Sequence, residues 1–177
     1  MKRITTIILV IFLSCWRTCA LGQTDLSAQV QLYPTGLIPG VKIDHSISTY
    51  GRLSLRLGAN IFDHQDLGVQ EMEVGSGFGF SMGYQRYLRD DFTGLHLELK
   101  NDVWWNTVDW QTDAFNGTSE IVVLQPTLNL GYTTFLGSSF FISPSVGFGW
   151  EWNVLVDGEP TGQGAIGLLG LSAGIRL

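Results

Sequence analysis

Strict alternation of apolar and polar side chains over long segments is the feature that most restricts how this chain can fold. Between Phe140 and Val154, one set of alternate positions is entirely apolar, and the other set is mostly small or polar and includes Glu151. Successive side chains of a β-strand point to opposite faces, so this segment is predicted to be a strand with one apolar and one polar face. Residues 52–62, 94–110 and 120–135 repeat the pattern.

The same pattern along the chain predicts eight strands joined by turns, with no long amphipathic helix. The strands are predicted at Ser27–Tyr33, Leu37–Ile47, Arg52–Phe62, Gly77–Leu88, Gly94–Trp110, Glu120–Phe135, Phe140–Val154 and Gly164–Leu177. Short turns are predicted at Ser48–Gly51, Arg89–Thr93 and Gly137–Ser139. Longer loops that contain acidic residues are predicted at Asp63–Ser76, Gln111–Ser119 and Leu155–Gln163. This arrangement is typical of an all-β, eight-stranded antiparallel up-and-down transmembrane β-barrel.

The first 22 residues have the features of a secretory signal peptide. A basic start at residues 2–3 precedes an apolar stretch over residues 4–16, and Ala20 and Gly22 place small side chains at the −3 and −1 positions of a predicted cleavage site. We therefore expect residues 1–22 to be a leader and residues 23–177 to be the barrel domain. The longest fully apolar run, Ile7–Leu13, is far shorter than the roughly 20 residues of a membrane-spanning helix.

Charge and cysteine content exclude several classes of function. The formal net charge is −6, and without Lys2, Arg3 and Arg17 the chain keeps seven basic against sixteen acidic side chains. A nucleic-acid partner is not expected, because little would neutralise the phosphates. Both cysteines, Cys15 and Cys19, lie in the leader, so neither a disulfide nor a thiolate metal site is expected in the mature chain.

The polar faces of the predicted strands carry charges of both signs, which we expect to form a network inside the barrel. The predicted network consists of Lys42, Asp44, Arg52, Arg56, His96, Glu98, Lys100, Asp102, Glu151 and Arg176. Buried charges must be paired because their desolvation is costly, so we expect Glu98 to contact a cation, with Arg52, Arg56 or Lys100 as the candidates. An eight-stranded barrel has room only for side chains, which argues against an open channel.

Aromatic residues fall into two groups about one membrane thickness apart. One group is Trp104, Trp105, Trp110, Trp150 and Trp152, near the predicted long loops. The other is Tyr50, Tyr84, Tyr87, Phe92, Tyr132, Phe135, Phe140 and Phe141, near the short turns. Tilted strands cross the apolar band in about 9–11 residues, so we interpret the groups as two interfacial girdles.

The final strand, residues 169–177, places Leu169, Leu171, Ala173, Ile175 and Leu177 on one face. With the leader and the strand pattern, it makes the chain resemble the small eight-stranded bacterial outer-membrane barrels of the OmpA and adhesin type, which have a porin-like architecture. The resemblance implies an outer-membrane location among outer-membrane lipids and lipopolysaccharide, and recognition of the final strand by the barrel-assembly machinery. That family usually ends in Phe or Trp, whereas this chain ends in Leu.

We therefore expect an integral outer-membrane protein with a structural, adhesive or surface-interaction role and no cofactor, its extracellular partner being left open by the sequence. Two alternatives remain: a soluble periplasmic, lipocalin-like carrier of a hydrophobic ligand, and a lipid-modifying outer-membrane enzyme. A carrier needs an apolar interior, and an enzyme needs a nucleophile beside an oriented base, for which no pattern is evident. The acidic residues around Asp63 and Glu73 lack a diagnostic metal-ligand spacing, so we expect a solvated loop there.

Overall fold

Eight β-strands make up nearly all of the protein, as described by a computed structural model of residues 22–65 and 69–177. The predicted leader lies outside these residues except for Gly22. The strands are β1 (Thr24–Tyr33), β2 (Gly36–Ser46), β3 (Gly51–Gln65), β4 (Met72–Tyr87), β5 (Gly94–Gln111), β6 (Asn116–Leu136), β7 (Phe140–Asp157) and β8 (Gly164–Arg176). Across the described residues, the structure contains no helix with the length and apolarity needed to cross a membrane.

The strands form one closed barrel in which each strand pairs antiparallel with its neighbours in sequence. β1 closes the barrel against β8, with Asp25 opposite Arg176 and Leu32 opposite Leu169. A register shift at Val122/Val123 marks a bulge between β6 and β7. Closure gives the strands hydrogen-bonding partners on both sides, which removes the exposed edges of an open sheet. The predicted eight-stranded antiparallel barrel is therefore confirmed.

The strands extend further than the sequence predicted, and the long loops are correspondingly shorter. β3 continues to Gln65 and β4 already begins at Met72, which pairs with Gln111 of β5. Most of the predicted loops Asp63–Ser76 and Gln111–Ser119 is therefore strand, because neighbouring strands supply hydrogen-bonding partners where the alternation is weak. We call the end with connections 34–35, 66–71, 112–115 and 158–163 the distal end, and the opposite end, which carries both chain termini, the terminal end.

The outer surface of the barrel is apolar and the interior is polar. Leu57 and Leu99 point outward and are each 64% exposed, whereas Arg56 and Lys100, their neighbours in sequence, point inward and are 2% and 3% exposed. The faces predicted from alternation are thus the faces observed. The arrangement is the inverse of a soluble protein, because charge is buried and large aliphatic side chains are exposed.

Exposed aromatic side chains lie near both ends of the outer surface, but the predicted girdles were partly wrong. Trp105, Trp150 and Trp152 are exposed towards the distal end, and Tyr50, Tyr84, Tyr132 and Phe140 are exposed towards the terminal end. Tyr87, Phe92, Trp104 and Phe141 instead point into the barrel and are buried. Tyr87 and Trp104 occupy inward positions of their strands. The girdle prediction considered their height along the barrel but not the face on which they lie.

Candidate functional site: the charged barrel interior

An ion pair between β2 and β5 crosses the barrel interior. Lys42 Nζ lies 2.8 Å from Glu98 Oε1 and 3.3 Å from Asp44 Oδ1. Glu98 Oε1 also accepts hydrogen bonds from Ser54 Oγ at 2.9 Å and Gln85 Nε2 at 3.1 Å. Lys42 therefore bridges two buried carboxylates. The expectation that Arg52, Arg56 or Lys100 would partner Glu98 was wrong, because Lys42 reaches it from a non-adjacent strand.

A second set of charges lies at the terminal end, around Asp25. Arg52 Nη1 donates to Asp25 Oδ2 at 2.6 Å, and Arg176 Nε donates to Asp25 Oδ1 at 3.1 Å. Arg52 Nη2 also donates to the carbonyl oxygen of Asp44 at 3.0 Å. Asp25 thus joins the first and last strands to β3 and is paired with two cations at the barrel closure.

A third set occupies the middle of the barrel. Asp102 accepts from Arg56 Nη2 at 2.8 Å and lies 2.9 Å from Lys100 Nζ. Arg56 also bonds Gln29, Gln31 and Ser81, and Lys100 Nζ donates to Gln31 Oε1 at 2.9 Å. The glutamine amide oxygens therefore accept hydrogen bonds from the N–H groups of Arg56 and Lys100 that Asp102 does not bind. A buried ionic network requires such partners.

Apolar side chains fill the interior on the distal side of the ion pairs. The cluster consists of Ile38, Phe62, Trp104, Val108, Ile121, Val123, Ile166 and Leu168, with Tyr33 against it. Trp104 is fully buried, its Nε1 donates to Gln125 Oε1 at 2.8 Å, and the guanidinium of Arg56 lies 5.4 Å from its ring centroid. Trp104 therefore joins the ionic and apolar layers and helps to fill the barrel.

The turn at residues 88–93 closes the terminal end. Phe92 adopts a positive φ of 55°, is buried, and lies edge-on to Tyr87 and 5.1 Å from the guanidinium of Arg52. In the same turn, hydrogen bonds from Arg89 and Thr93 lower the pKa of Asp91 to about 2. The unfavourable backbone conformation of Phe92 is offset by the burial of its ring beneath the ion pairs.

Two members of the predicted network have no ionic partner. His96 stacks on Tyr87, with 4.5 Å between ring centroids, and its Nδ1 has no hydrogen-bonding partner. Glu151 lies on the inner side of β7 near the distal end, away from the Lys and Arg side chains that pair with the other predicted carboxylates. The structure therefore brings together the other eight predicted residues in three neighbouring sets, and it leaves these two apart.

Asp25 and the glutamines that complete the network were not predicted from the sequence. Asp25 was placed outside the first strand, although it alternates with the buried residues Ser27, Gln29 and Gln31. Extending the period-two pattern two residues upstream would have found it. The pattern does not predict that the glutamines bind the charged side chains, because any uncharged polar residue would fit the same alternation.

Glu73 organises the distal end and is also absent from the predicted network. Glu73 is 1% exposed, and its carboxylate accepts hydrogen bonds from the backbone N–H groups of Val69, Gln70 and Gly162. His64 Nδ1 lies 3.8 Å from Glu73 Oε2. Within the described residues, no group of three or more His, Cys, Asp or Glu side chains is arranged to hold a metal ion. Glu73 thus ties the β7–β8 connection to the β3–β4 connection.

Comparison with solved structures places the fold among eight-stranded outer-membrane barrels. The N-terminal β-barrel domain of Pseudomonas aeruginosa OprF matches with a TM-score of 0.55 and 15% identity, covering 88% of this chain and 99% of that one. The attachment invasion locus protein Ail of Yersinia pestis matches with a TM-score of 0.56 and 11% identity over the same shares. Ail in complex with the heparin analogue sucrose octasulfate matches with a TM-score of 0.53, 10% identity and the same coverage.

No protein-family model matches the chain, and no curated protein matches it by sequence. At these identities the structural matches define the fold. The protein has the closed eight-stranded barrel architecture of the OprF domain and Ail, with a buried, charged interior of its own.

Proposed function

We propose that the protein is an integral outer-membrane barrel whose distal end faces the cell exterior, with a structural, adhesive or surface-interaction role. The observation that carries this proposal is the burial of ion pairs inside a barrel whose outer face is apolar. Phe148 is 63% and Leu128 55% exposed, whereas Asp102 and Arg52 are 0% and 1% exposed. Such a surface is stable in lipid and unstable in water. Outer-membrane lipids and lipopolysaccharide are the proposed surroundings, and the barrel-assembly machinery is the proposed partner during insertion.

A lipocalin-like carrier fits this arrangement poorly. A carrier requires an apolar interior that accommodates its ligand, whereas Lys42, Glu98 and Arg56 occupy the interior here and the apolar cluster fills the distal part. Fractionation of cells, followed by electrophoresis with and without boiling, tests the proposal. We expect the protein in the detergent-extracted outer membrane, with faster migration before boiling. Recovery in the soluble periplasmic fraction would contradict the proposal and favour a carrier.

A lipid-modifying enzyme is the second alternative, and the described histidines give it little support. His96 is stacked on Tyr87 inside the barrel, and His64 lies beside Glu73. His45 Nδ1 is 2.8 Å from Thr24 Oγ1 at the terminal end, but no hydrogen bond to an acidic side chain orients the ring. We therefore assign the protein a binding or structural role rather than a catalytic one.

Electrostatics limit the kind of extracellular partner. Exposed acidic residues surround the distal end, and no Lys or Arg of the described chain lies there; the acidic residues are Asp63, Glu71, Asp109, Asp113, Glu120, Asp157 and Glu159. Ail was solved with a sulfated heparin analogue. The distal end of this protein would repel such a polyanion, so we propose a cationic or neutral partner.

Binding of immobilised heparin and of a basic peptide such as oligolysine, each at two salt concentrations, tests the sign of this preference. We expect oligolysine to bind more tightly at low salt and heparin not to bind. Salt-sensitive binding of heparin would contradict the proposed preference for a cationic or neutral partner.

A further inference from the structure

Glu151 is the one inward-facing carboxylate of the described strands without a cation or a hydrogen-bond donor. Asp25, Asp44, Glu98 and Asp102 are paired with Arg or Lys, and Glu73 accepts three backbone N–H groups. A partly buried carboxylate in this position is therefore uncompensated by the protein itself.

Glu151 lines two adjoining cavities at the distal end. The inner cavity has a volume of about 30 Å³ and the outer one about 300 Å³, and Tyr33, His64, Glu151 and Gly162 line both. The outer cavity opens between the β1–β2 turn, at Pro34, and the β7–β8 connection. About 10–15 Å³ of such space holds one water molecule, so the inner cavity has room for a group the size of an ammonium ion.

The walls of the inner cavity suit a cation that donates hydrogen bonds. Asn106 is 5% exposed and its Oδ1 accepts no hydrogen bond, and Asn153 Oδ1 is likewise without a partner. Tyr33 Oη donates to Asn60 Oδ1 at 2.6 Å, which leaves the lone pairs of its oxygen free. Tyr33 and Phe62 also line this cavity, and the faces of aromatic rings attract cations.

The cavity ends inside the barrel. Val108, Ile121 and Val123 line it and belong to the apolar cluster that also contains Trp104 and fills the barrel below. A molecule that enters from the distal end therefore meets a closed floor. This geometry suits reversible binding and not passage through the barrel.

We propose that this cavity binds the primary ammonium group of a small organic cation, with Glu151 as its counter-ion. The exposed acidic residues around the distal end attract the ligand. The inner cavity holds its ammonium group, and the outer cavity holds its alkyl part. A divalent metal ion fits less well, because Ca²⁺ takes six to eight oxygen ligands and Glu151 is the one carboxylate lining the inner cavity. The binding site goes beyond the proposed membrane role and does not depend on which side of the membrane the distal end faces.

Ligand-detected NMR on the full chain, folded in the non-ionic detergent octyl glucoside, tests this proposal. The detergent is chosen because it carries no cationic head group that would compete. The probes are n-butylammonium, its neutral analogue 1-butanol, and Mg²⁺ as a competitor. Glu151→Gln removes the counter-ion with little change in shape. Glu159→Gln, in the exposed β7–β8 connection, removes the same charge from the distal end and serves as the control.

We expect n-butylammonium to bind to the wild type and to Glu159→Gln with similar affinity, and 1-butanol not to bind. Glu151→Gln should weaken binding about tenfold or more, because the amide oxygen can still accept a hydrogen bond but no longer supplies the negative charge that pairs with the ammonium group. Equal weakening by both variants would show diffuse attraction by the acidic surface and would overturn the site. Failure of n-butylammonium to bind the wild type would overturn the site, and its displacement by an equal concentration of Mg²⁺ would overturn the assigned ligand class. The gel shift on boiling checks that each variant is folded.

Discussion

Lys42 Nζ on β2 lies 2.8 Å from Glu98 Oε1 on β5, and the two side chains are each 6% exposed. The strands are not neighbours in the barrel, so the contact spans the interior and is independent of backbone pairing. Lys42 also lies 3.3 Å from Asp44, and it therefore separates two carboxylates that would otherwise repel each other.

Lys42→Met should be the most damaging single change in this part of the network. It keeps the volume of the side chain but leaves Asp44 and Glu98 without the cation between them. Removing one member of a buried ion pair typically costs about 3–5 kcal/mol. Urea unfolding in lipid vesicles or detergent measures the loss.

Glu98→Ala and Lys100→Ala should also destabilise the barrel, but by less than Lys42→Met. After the first change Lys42 is still paired with Asp44, and after the second Asp102 is still paired with Arg56. Arg89→Ala, in an exposed turn, is the control and should leave the unfolding midpoint nearly unchanged. Losses below about 1 kcal/mol for all three interior variants would indicate a solvated network.

Leu128→Arg should destabilise the barrel because it places a charge on the outer face. Leu128 is 55% exposed and lies on the outer face opposite the apolar side chains of Leu99 and Phe148. We expect a cost of about 2–4 kcal/mol in lipid. Refolding into bilayers, followed by urea unfolding, provides the measurement.

Leu128→Gln, at the same position, separates charge from the loss of the leucine side chain and should cost less than Leu128→Arg. Thr127→Arg points inward, where Thr127 is 1% exposed, and its outcome should depend on crowding rather than on lipid. Wild-type stability of Leu128→Arg in bilayers would mean that this face does not contact lipid.

Trp104→Ala should create a cavity between the ionic and apolar layers. Truncating a fully buried tryptophan typically costs about 3–5 kcal/mol, and here the partners Arg56 and Gln125 also lose their contacts. Trp104→Phe retains most of the volume and removes the N–H donor, so it should cost less. Thermal unfolding monitored by the gel shift ranks the two variants, and equal losses would contradict a packing role for the indole.

A short epitope inserted at residues 112–115 should be accessible on intact cells. These residues connect β5 and β6 at the distal end, where Phe115 is 74% exposed. The same epitope inserted at residues 89–91 should be detected only after the outer membrane is permeabilised. Antibody binding to intact and permeabilised cells distinguishes the two sites, and the reverse pattern would invert the proposed topology.

The ends of the strands show where the alternation of apolar and polar residues stops predicting the structure. Alternation correctly predicted the central strands and their faces, because a barrel wall with lipid on one side and a filled interior on the other imposes a period of two. It failed at residues 72–76 and 116–119, where the period is weak and pairing with β5 extends the strands. Phe92 was misplaced for a related reason, since a turn has no periodicity to show which way a side chain points.

The sequence by itself determined the class of fold, the inward position of the charges and their near balance of sign, because each follows from residue type at alternate positions. Only the tertiary structure decided which charges meet. Partners such as Lys42 and Glu98 lie on strands brought together by closure of the barrel, and their distance depends on register and strand order. The same closure left Glu151 without a partner at the distal end, a consequence of three-dimensional position that no local pattern of residues contains.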